Sequence, residues 1–267
     1  MNAPHFARRR AVITGGSRGI GFAVASLLHQ QGASVLLVAR ESEPLKTAAA
    51  KLRGDGQSGQ VLTVSLDLGM NREIPNSIIR LVDESLGGLD YLVNAAGGAR
   101  VTGALEAAWD EWHEDFSVKF WGYFAMIRAL TPLIQKNPEG GAVVNVVGVS
   151  GTDPNPELGI AGPVNAALRA LTKVLAYELA ASRIRIVNVH PGATETALLT
   201  SMAQAYARRH QLPVEQMLAQ LRGSTPLGGL PSASDVGELI CFLLSEKSRC
   251  ITGTGIEIDG GAHHGLA

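Results

Sequence analysis

Short unbroken apolar runs alternate along the chain with longer stretches in which apolar residues recur every three or four positions. Ala11-Val12-Ile13 is the first run, and Ser34 to Ala39 (Ser-Val-Leu-Leu-Val-Ala) is the second. Neither alternates apolar with polar, so each reads as a strand buried on both faces, as in a parallel sheet. Between them Ile20, Val24, Leu27 and Leu28 recur at i, i+4, i+7 and i+8. That is the stripe of an amphipathic helix, and Gly32 ends it. The same reading puts a helix over Pro44–Arg53, a loop over Gly54–Gly59 and a strand over Gln60–Leu66. A helix over Pro75–Leu86 and a strand over Leu89–Val93 follow. A long helix spans Trp109–Gln135, then come a strand over Gly141–Val147, a helix over Pro163–Ala181 and a strand over Ile184–Val189. Val236, Leu239, Ile240, Leu243 and Leu244 mark another helix, with Ser234 as its N-cap, and Gly255–Ile258 is the final strand.

Strand–helix alternation throughout predicts an α/β fold, a parallel sheet covered on both sides. No linker, repeat or break in composition divides residues 1–267, so one domain is expected. The stretch Thr196 to Pro226 interrupts the rhythm with one helix-like segment (Val214, Met217, Leu218, Leu221). A long excursion after a strand's carboxyl end is either a lid over a ligand, residues 196–226, or a surface helical hairpin.

Composition narrows the function. Apolar residues at 46% and charged residues at 18% suit a large core. Lys+Arg at 23 against Asp+Glu at 24 offers no field for nucleic acid or an anionic membrane. Two cysteines, Cys241 and Cys250, make no disulfide framework, and a reducing cytoplasm fits. Arg8-Arg9-Arg10 runs into a short strand rather than a long apolar segment, so it reads as a solvated N-terminal arm, and no apolar run reaches membrane-spanning length.

The chemistry begins at Thr14-Gly15-Gly16-Ser17-Arg18-Gly19-Ile20-Gly21, between the first strand and the first helix. Glycines at 15, 19 and 21 let backbone come close to a ligand. The first helical N–H groups are unpaired and carry the positive end of the helix dipole, so a pyrophosphate suits them. An acidic residue at the end of the second strand would grip a ribose hydroxyl; here the strand ends in Ala39-Arg40. Arg40 and Arg18, with no competing carboxylate, favour NADP(H) over NAD(H). Other polar groups fall at strand ends: Asp67, Asn94 and Pro191-Gly192. Ligands of open parallel sheets bind outside those ends, so the pieces converge on one crevice.

With these residues in place, the chain resembles the short-chain dehydrogenase/reductase family. The resemblance is carried by Thr14 to Gly21, Asp67-Leu68, Asn94-Ala95-Ala96-Gly97, Pro191-Gly192 with Thr196, and Thr252 to Gly261, and covers residues 10–261. It implies a seven-stranded Rossmann-type doubly wound sheet, a nicotinamide nucleotide, a small-molecule substrate and a homotetramer or homodimer. By analogy the nucleotide is held by Gly15, Ser17, Arg18, Gly19, Ile20, Gly21, Arg40, Asp67, Leu68, Asn94, Ala95 and Gly97. Asp67 takes the adenine amino group, Asn94 steadies the central strands, and Pro191, Gly192, Thr194 and Thr196 line the nicotinamide.

The same resemblance exposes a departure. The family's tyrosine, lysine, serine and helix asparagine correspond here to Ala161, Asn165, Gly148 and Lys119. Asn165 can still hydrogen-bond a ribose but carries no charge. Without a general acid, a hydride acceptor's new alkoxide has no proton source. Lys119 and Ser150 are the candidate replacements; against them stand a Lys119–Asp115 ion pair at helical spacing and a Ser150 that reaches the site only if its loop rearranges. Tyr177, adjacent to Lys173 on the helix, lies about 24 Å along it from Ala161 and is excluded. His190 reads as a strand-end residue with a satisfied ring, although it can titrate near neutrality. Asp153 and Glu157 either edge the pocket or are solvated carboxylates. The readings left open are an oxidoreductase for a small organic carbonyl or alcohol with an unusual proton donor, a catalytically silent scaffold or binding subunit, and a non-redox cyclisation or dehydration in the same pocket.

Overall fold

The computed structural model describes residues 5–264 except Asp55, Gln57, Ser58 and Arg72. Part of the expected Gly54–Gly59 loop therefore lies outside the described residues. The strands are β1 (Arg10–Thr14), β2 (Ser34–Ala39), β3 (Val61–Ser65), β4 (Tyr91–Asn94), β5 (Gly141–Val146), β6 (Ile184–Pro191) and β7 (Gly255–Ile258). They form one seven-stranded sheet, all parallel, in the order β3-β2-β1-β4-β5-β6-β7. This is the Rossmann-type arrangement. The winding reverses between β1 and β4, which opens a crevice at the carboxyl ends of the strands.

The helices are α1 (Gly19–Gln30), α2 (Ser42–Gly54), α3 (Asn76–Arg80), α4 (Trp109–Asp115), α5 (Gly122–Gln135), α6 (Ala161–Leu179), α7 (Ala197–His210), α8 (Val214–Gly223) and α9 (Ala233–Leu244). Ile13, Leu37, Val93, Val144 and Val187 face α1, α2 and α9 on one side of the sheet. Val12, Leu36, Leu92, Val143 and Ile186 face α3, α5 and α6 on the other. Both faces are dry, which is why the strands show no polar alternation. One exception is a row of three asparagines in register, Asn94, Asn145 and Asn188 on β4, β5 and β6. Asn94 Nδ2 donates to Asn145 Oδ1 (2.9 Å), and Thr172 of α6 donates to Asn188 Oδ1 (2.7 Å).

Several expectations need correction. Arg9 and Arg10 are not a solvated arm. The Arg10 backbone N and Nε each lie 2.8 Å from Asp90 Oδ2, and Arg9 reaches Oδ1 at 3.4 Å. Asp90 is buried, and its carboxylate is stable there only with such donors, so the arginines are drawn in. The cap of α9 is Ser232, not Ser234. Ser232 Oγ accepts from the Asp235 N–H (3.1 Å), and Asp235 Oδ2 accepts from the Ser232 N–H (2.7 Å), a reciprocal box that starts the helix two residues earlier. The expected helices over Pro75–Leu86 and Trp109–Gln135 both contain a π-helical turn, at Leu81–Ser85 and Phe116–Trp121. α7 escaped notice because its buried stripe, Leu199, Ala203, Tyr206 and Ala207, is half alanine. Among the described residues, no helix is long and apolar enough to cross a membrane.

Candidate functional site

A cavity of about 850 Å³ runs along the carboxyl ends of the strands. Gly15, Ser17, Arg18, Gly19, Ile20, Gly21, Arg40, Asp67, Leu68, Ala95, Gly97, Asn165, Pro191, Gly192, Thr194 and Thr196 all line it. Asn94 does not; it sits fully buried in the sheet beneath. The glycine turn is built by close approach. A Cβ on Gly15, whose φ is +67°, would lie 2.6 Å from the Ala95 carbonyl oxygen, and one on Gly21 would lie 2.4 Å from Gly15 O. Thr14 Oγ1 accepts from the Ala95 and Ala96 N–H groups at 3.0 and 3.2 Å, so the ends of β1 and β4 are locked together. No side chain caps the N-terminus of α1, and its first turn carries no acidic residue. Its amide donors and dipole are therefore free to meet an anion. Arg18 and Arg40 are exposed at this end, and neither is ion-paired among the described residues. Asp67 Oδ1 accepts from the Gly69 N–H (2.9 Å), an Asx turn that fixes the carboxylate at the cavity wall.

Lys119 enters the other half of the cavity from the π-helical turn before α5. Its Nζ donates to the Val147 carbonyl oxygen at 3.1 Å. The expected ion pair with Asp115 does not form. The wider π turn rotates Lys119 off the position one α-turn beyond Asp115, and Asp115 instead accepts from Arg100 Nε at 3.0 Å. Burial pushes the Lys119 ammonium down to about 8, against the opposing pull of the Asp115 charge.

Val147 leads into Gly148, which has φ +80°, and a Cβ there would lie 3.0 Å from Asn165 Nδ2. Asn165 is 2% exposed. Its Nδ2 donates to Ser150 Oγ at 2.8 Å, while its Oδ1 has no partner. Ser150 thus meets Asn165 without any rearrangement of the loop. Ala161, one turn before Asn165 on α6, puts only a methyl group into the cavity wall.

The structure also brings in Tyr123, which the sequence reading passed over. It lies four residues beyond Lys119, lines the cavity, and is buried with its hydroxyl 2.8 Å from Ala96 O and 3.2 Å from Val146 O. Burial drives its phenol far above the ordinary tyrosine range, so it is no proton donor near neutrality. Tyr206 of α7 is pushed up to about 12 for the same reason. His190 is also corrected. Its ring is buried and neither nitrogen has a hydrogen-bond partner. It packs against Gly255, where a Cβ would come within 2.0 Å of Nε2. Burial, then the positive charges of Arg169 and Lys119, push it down to about 4, so it is neutral at pH 7. Asp153 lines the cavity and lies 3.7 Å from His263 Nδ1. Glu157 does not edge the cavity; it pairs with Arg209 (3.0 Å) and His210 (2.9 Å) outside it.

Within residues 196–226, Leu198, Leu199, Met202 and Tyr206 of α7 and Leu221 of α8 face the cavity opposite the glycine turn. Ala203, Tyr206, Ala207 and Met217 form a small core of their own. Arg209–Glu106 and Arg222–Glu195 pairs, both with contacts of 2.7 Å, hold the two helices at the rim.

Comparison with known proteins agrees with this geometry. The family model described as "Enoyl-(Acyl carrier protein) reductase" matches residues 15–263. An uncharacterized oxidoreductase of Mycobacterium tuberculosis is 30% identical over 253 residues, 94% of this chain and 90% of that one. The 2,3-dihydro-2,3-dihydroxybenzoate dehydrogenase of Bacillus subtilis is 29% identical over 266 residues, the full length of both. Among solved structures, L-sorbose reductase from Gluconobacter frateurii, complexed with NADPH and L-sorbose, superposes with a TM-score of 0.90 at 28% identity. It covers 99% of this chain and 100% of that one.

Proposed function

The chain belongs to the short-chain dehydrogenase/reductase family, and from that premise we propose an NADP(H)-dependent oxidoreductase acting on a small organic carbonyl or alcohol, with Lys119 moving the proton. The residues present fit a dinucleotide. A Cβ at Gly15 or Gly21 would strike neighbouring backbone, so glycine keeps the turn tight against β4, and the α1 N-terminus is uncapped beside it. Arg18 and Arg40 hold the 2′-phosphate, Asp67 the adenine amino group, and Asn165 a ribose hydroxyl through its unpartnered Oδ1. Pro191, Gly192, Thr194 and Thr196 line the nicotinamide, and residues 196–226 roof the substrate. The bound nucleotide supplies or accepts a hydride.

Lys119 supplies the proton. The tyrosine, serine and lysine positions of the family are occupied by Ala161, Gly148 and Asn165, none of which is an acid. The single observation that carries the reading is the Lys119 ammonium, enclosed in the cavity, anchored on Val147 O and unpaired with any carboxylate among the described residues. A positioned general acid is worth about 10²–10⁴ in rate. Lys119→Met should therefore lower kcat about 10²-fold or more while leaving NADPH affinity unchanged. Fluorescence titration of NADPH and loss of reduced-nicotinamide absorbance with a carbonyl panel read the two effects separately.

The Asn165–Ser150 hydrogen bond favours a second reading, a silent nucleotide-binding subunit, because Ser150 Oγ accepts from the α6 side chain rather than standing clear for a substrate. Wild-type protein that binds NADPH and oxidises it with no member of the panel would establish that reading and overturn the first. Substrate conversion with unchanged absorbance would instead identify non-redox chemistry.

A further inference from the structure

We infer that the substrate taken at Lys119 carries a carboxylate on the carbon next to its carbonyl: a 2-oxo acid when reduced, a 2-hydroxy acid when oxidised. The inference rests on the oxidoreductase reading and adds what the carbonyl is attached to.

An ammonium has three N–H donors. One is spent on Val147 O. The other two have no acceptor among the described residues, and Gly97, where a Cβ would lie 3.6 Å from Lys119 Cδ, leaves the lysine's flank uncovered. One donor meets the reacting carbonyl oxygen. The remaining one has no protein acceptor among the described residues, and a substrate with a second oxygen on the adjacent carbon would supply one. A vicinal pair of oxygens brackets a single nitrogen, as a 2-oxo acid does in its planar form.

Charge points the same way. A cation enclosed without an anion is unfavourable, and a neutral ketone would leave it so. Asp115 is committed to Arg100, and Asp153 and Glu257 lie on either side of His263. The other nearby cations are already engaged. Arg100 is shared among Glu111, Glu114 and Asp115, and Arg169 donates to Gly151 O. Among the described residues, Arg18 and Arg40 are unpaired at the glycine-turn end, so a carboxylate entering the half of the cavity beside Gly148 meets Lys119 as its cation without a carboxylate partner. Beyond it Leu158, Met202 and Leu221 form an apolar wall suited to an alkyl or aryl tail. The reduction balances. A C–H bond forms at C2 from the hydride, an O–H bond forms with the Lys119 proton, and the C=O π bond breaks. The hydride would come from a bound reduced nucleotide, oxidised thereby to NADP⁺, and Lys119 would recover its proton from water.

The test is calorimetric and needs no turnover. Protein loaded with NADP⁺, which cannot reduce a carbonyl, is titrated with 4-methyl-2-oxopentanoate, its methyl ester and 4-methyl-2-pentanone. The acid should bind about ten-fold or more tightly than either neutral probe. Lys119→Met should abolish that preference, and Lys119→Arg should keep part of it. In the wild type the preference should fade as pH rises through 8. The titratable groups facing Lys119 are Asp115, backed by Arg100, and the neutral His190 from β6, and neither changes charge there. Equal binding of acid and ester, or a preference that survives Lys119→Met in protein with unaltered circular dichroism, overturns the inference. Failure to bind NADP⁺ would instead sink the oxidoreductase reading, and the same probes titrated into nucleotide-free protein would still decide the anion preference.

Discussion

Replacing Lys119 with Met should make the protein more stable at neutral pH while disabling it. Burial lowers the lysine from 10.5 in the unfolded chain to about 8 in the folded one. At about 1.36 kcal/mol per pH unit, that difference is an upper bound of ~3 kcal/mol against the native state. The hydrogen bond to Val147 O and partial contact with solvent reduce the net penalty to about 1–3 kcal/mol. The sign follows from proton counting. Between pH 8 and 10.5 the folded state has released a proton that the unfolded chain still holds, so stability rises with pH across that window. Below 8 the penalty is present in full; above 10.5 it is gone. Met fills the same volume without charge, so Lys119→Met should raise Tm at pH 7 by about 2–4 °C per kcal/mol. The gap between variant and wild type should close as pH approaches 10.5. Thermal melts of both proteins across pH 6–10.5, in matched ionic strength, read the difference directly. A variant that melts at or below the wild-type temperature at pH 7, or a gap that does not shrink with pH, would refute the claim that Lys119 is held as a strained cation. A group retained against stability is the pattern of a functional residue.

Gly15→Ala should abolish NADPH binding in a fluorescence titration, because the new Cβ would sit 2.6 Å from Ala95 O at a φ of +67° that disfavours any side chain. Arg40→Asp should lower NADPH affinity by about ten-fold or more and spare NADH, since a carboxylate repels the 2′-phosphate and suits a ribose hydroxyl; equal losses for both nucleotides would contradict the placement of Arg40. Asp90→Ala should cost about 2–4 kcal/mol in urea unfolding, because Arg9, Arg10 and Asn137 all donate to that buried carboxylate.

Much of the fold is legible because the strands are short, dry and bounded by glycines. β2 reads from Ser34 to Ala39 in the sequence and runs over the same residues in the structure. The crevice is legible because its residues sit at strand ends, and only Asn94 of the expected set is withdrawn into the sheet. What is not legible depends on contacts between distant segments. Nothing near Arg9 and Arg10 in the sequence announces Asp90, some eighty positions away. The helical spacing of Asp115 and Lys119 reads as an ion pair, and only the π turn between them, with Arg100 as competitor, shows why it fails. The spacing of Lys119 and Tyr123 did hold the missing signal, a second polar group on the same face, but the burial that silences Tyr123 is a tertiary property.

On the reading proposed above, the proton-moving group would take its position from the sheet. Lys119 rests on Val147, whose N–H is itself bonded to Val189 O at 2.9 Å just beyond β5, so the lysine takes its position from the sheet. The row Asn94–Asn145–Asn188 and Thr172 stiffens that part of the sheet from within. Gly148 follows Val147 directly, and Ala161 and Asn165 lie at the start of α6; Lys119 makes its hydrogen bond to Val147 O and to none of these three. At Gly148 the φ of +80° strains any side chain, and a Cβ would lie 3.0 Å from Asn165 Nδ2. The backbone there has settled around glycine and around the Asn165–Ser150 bond.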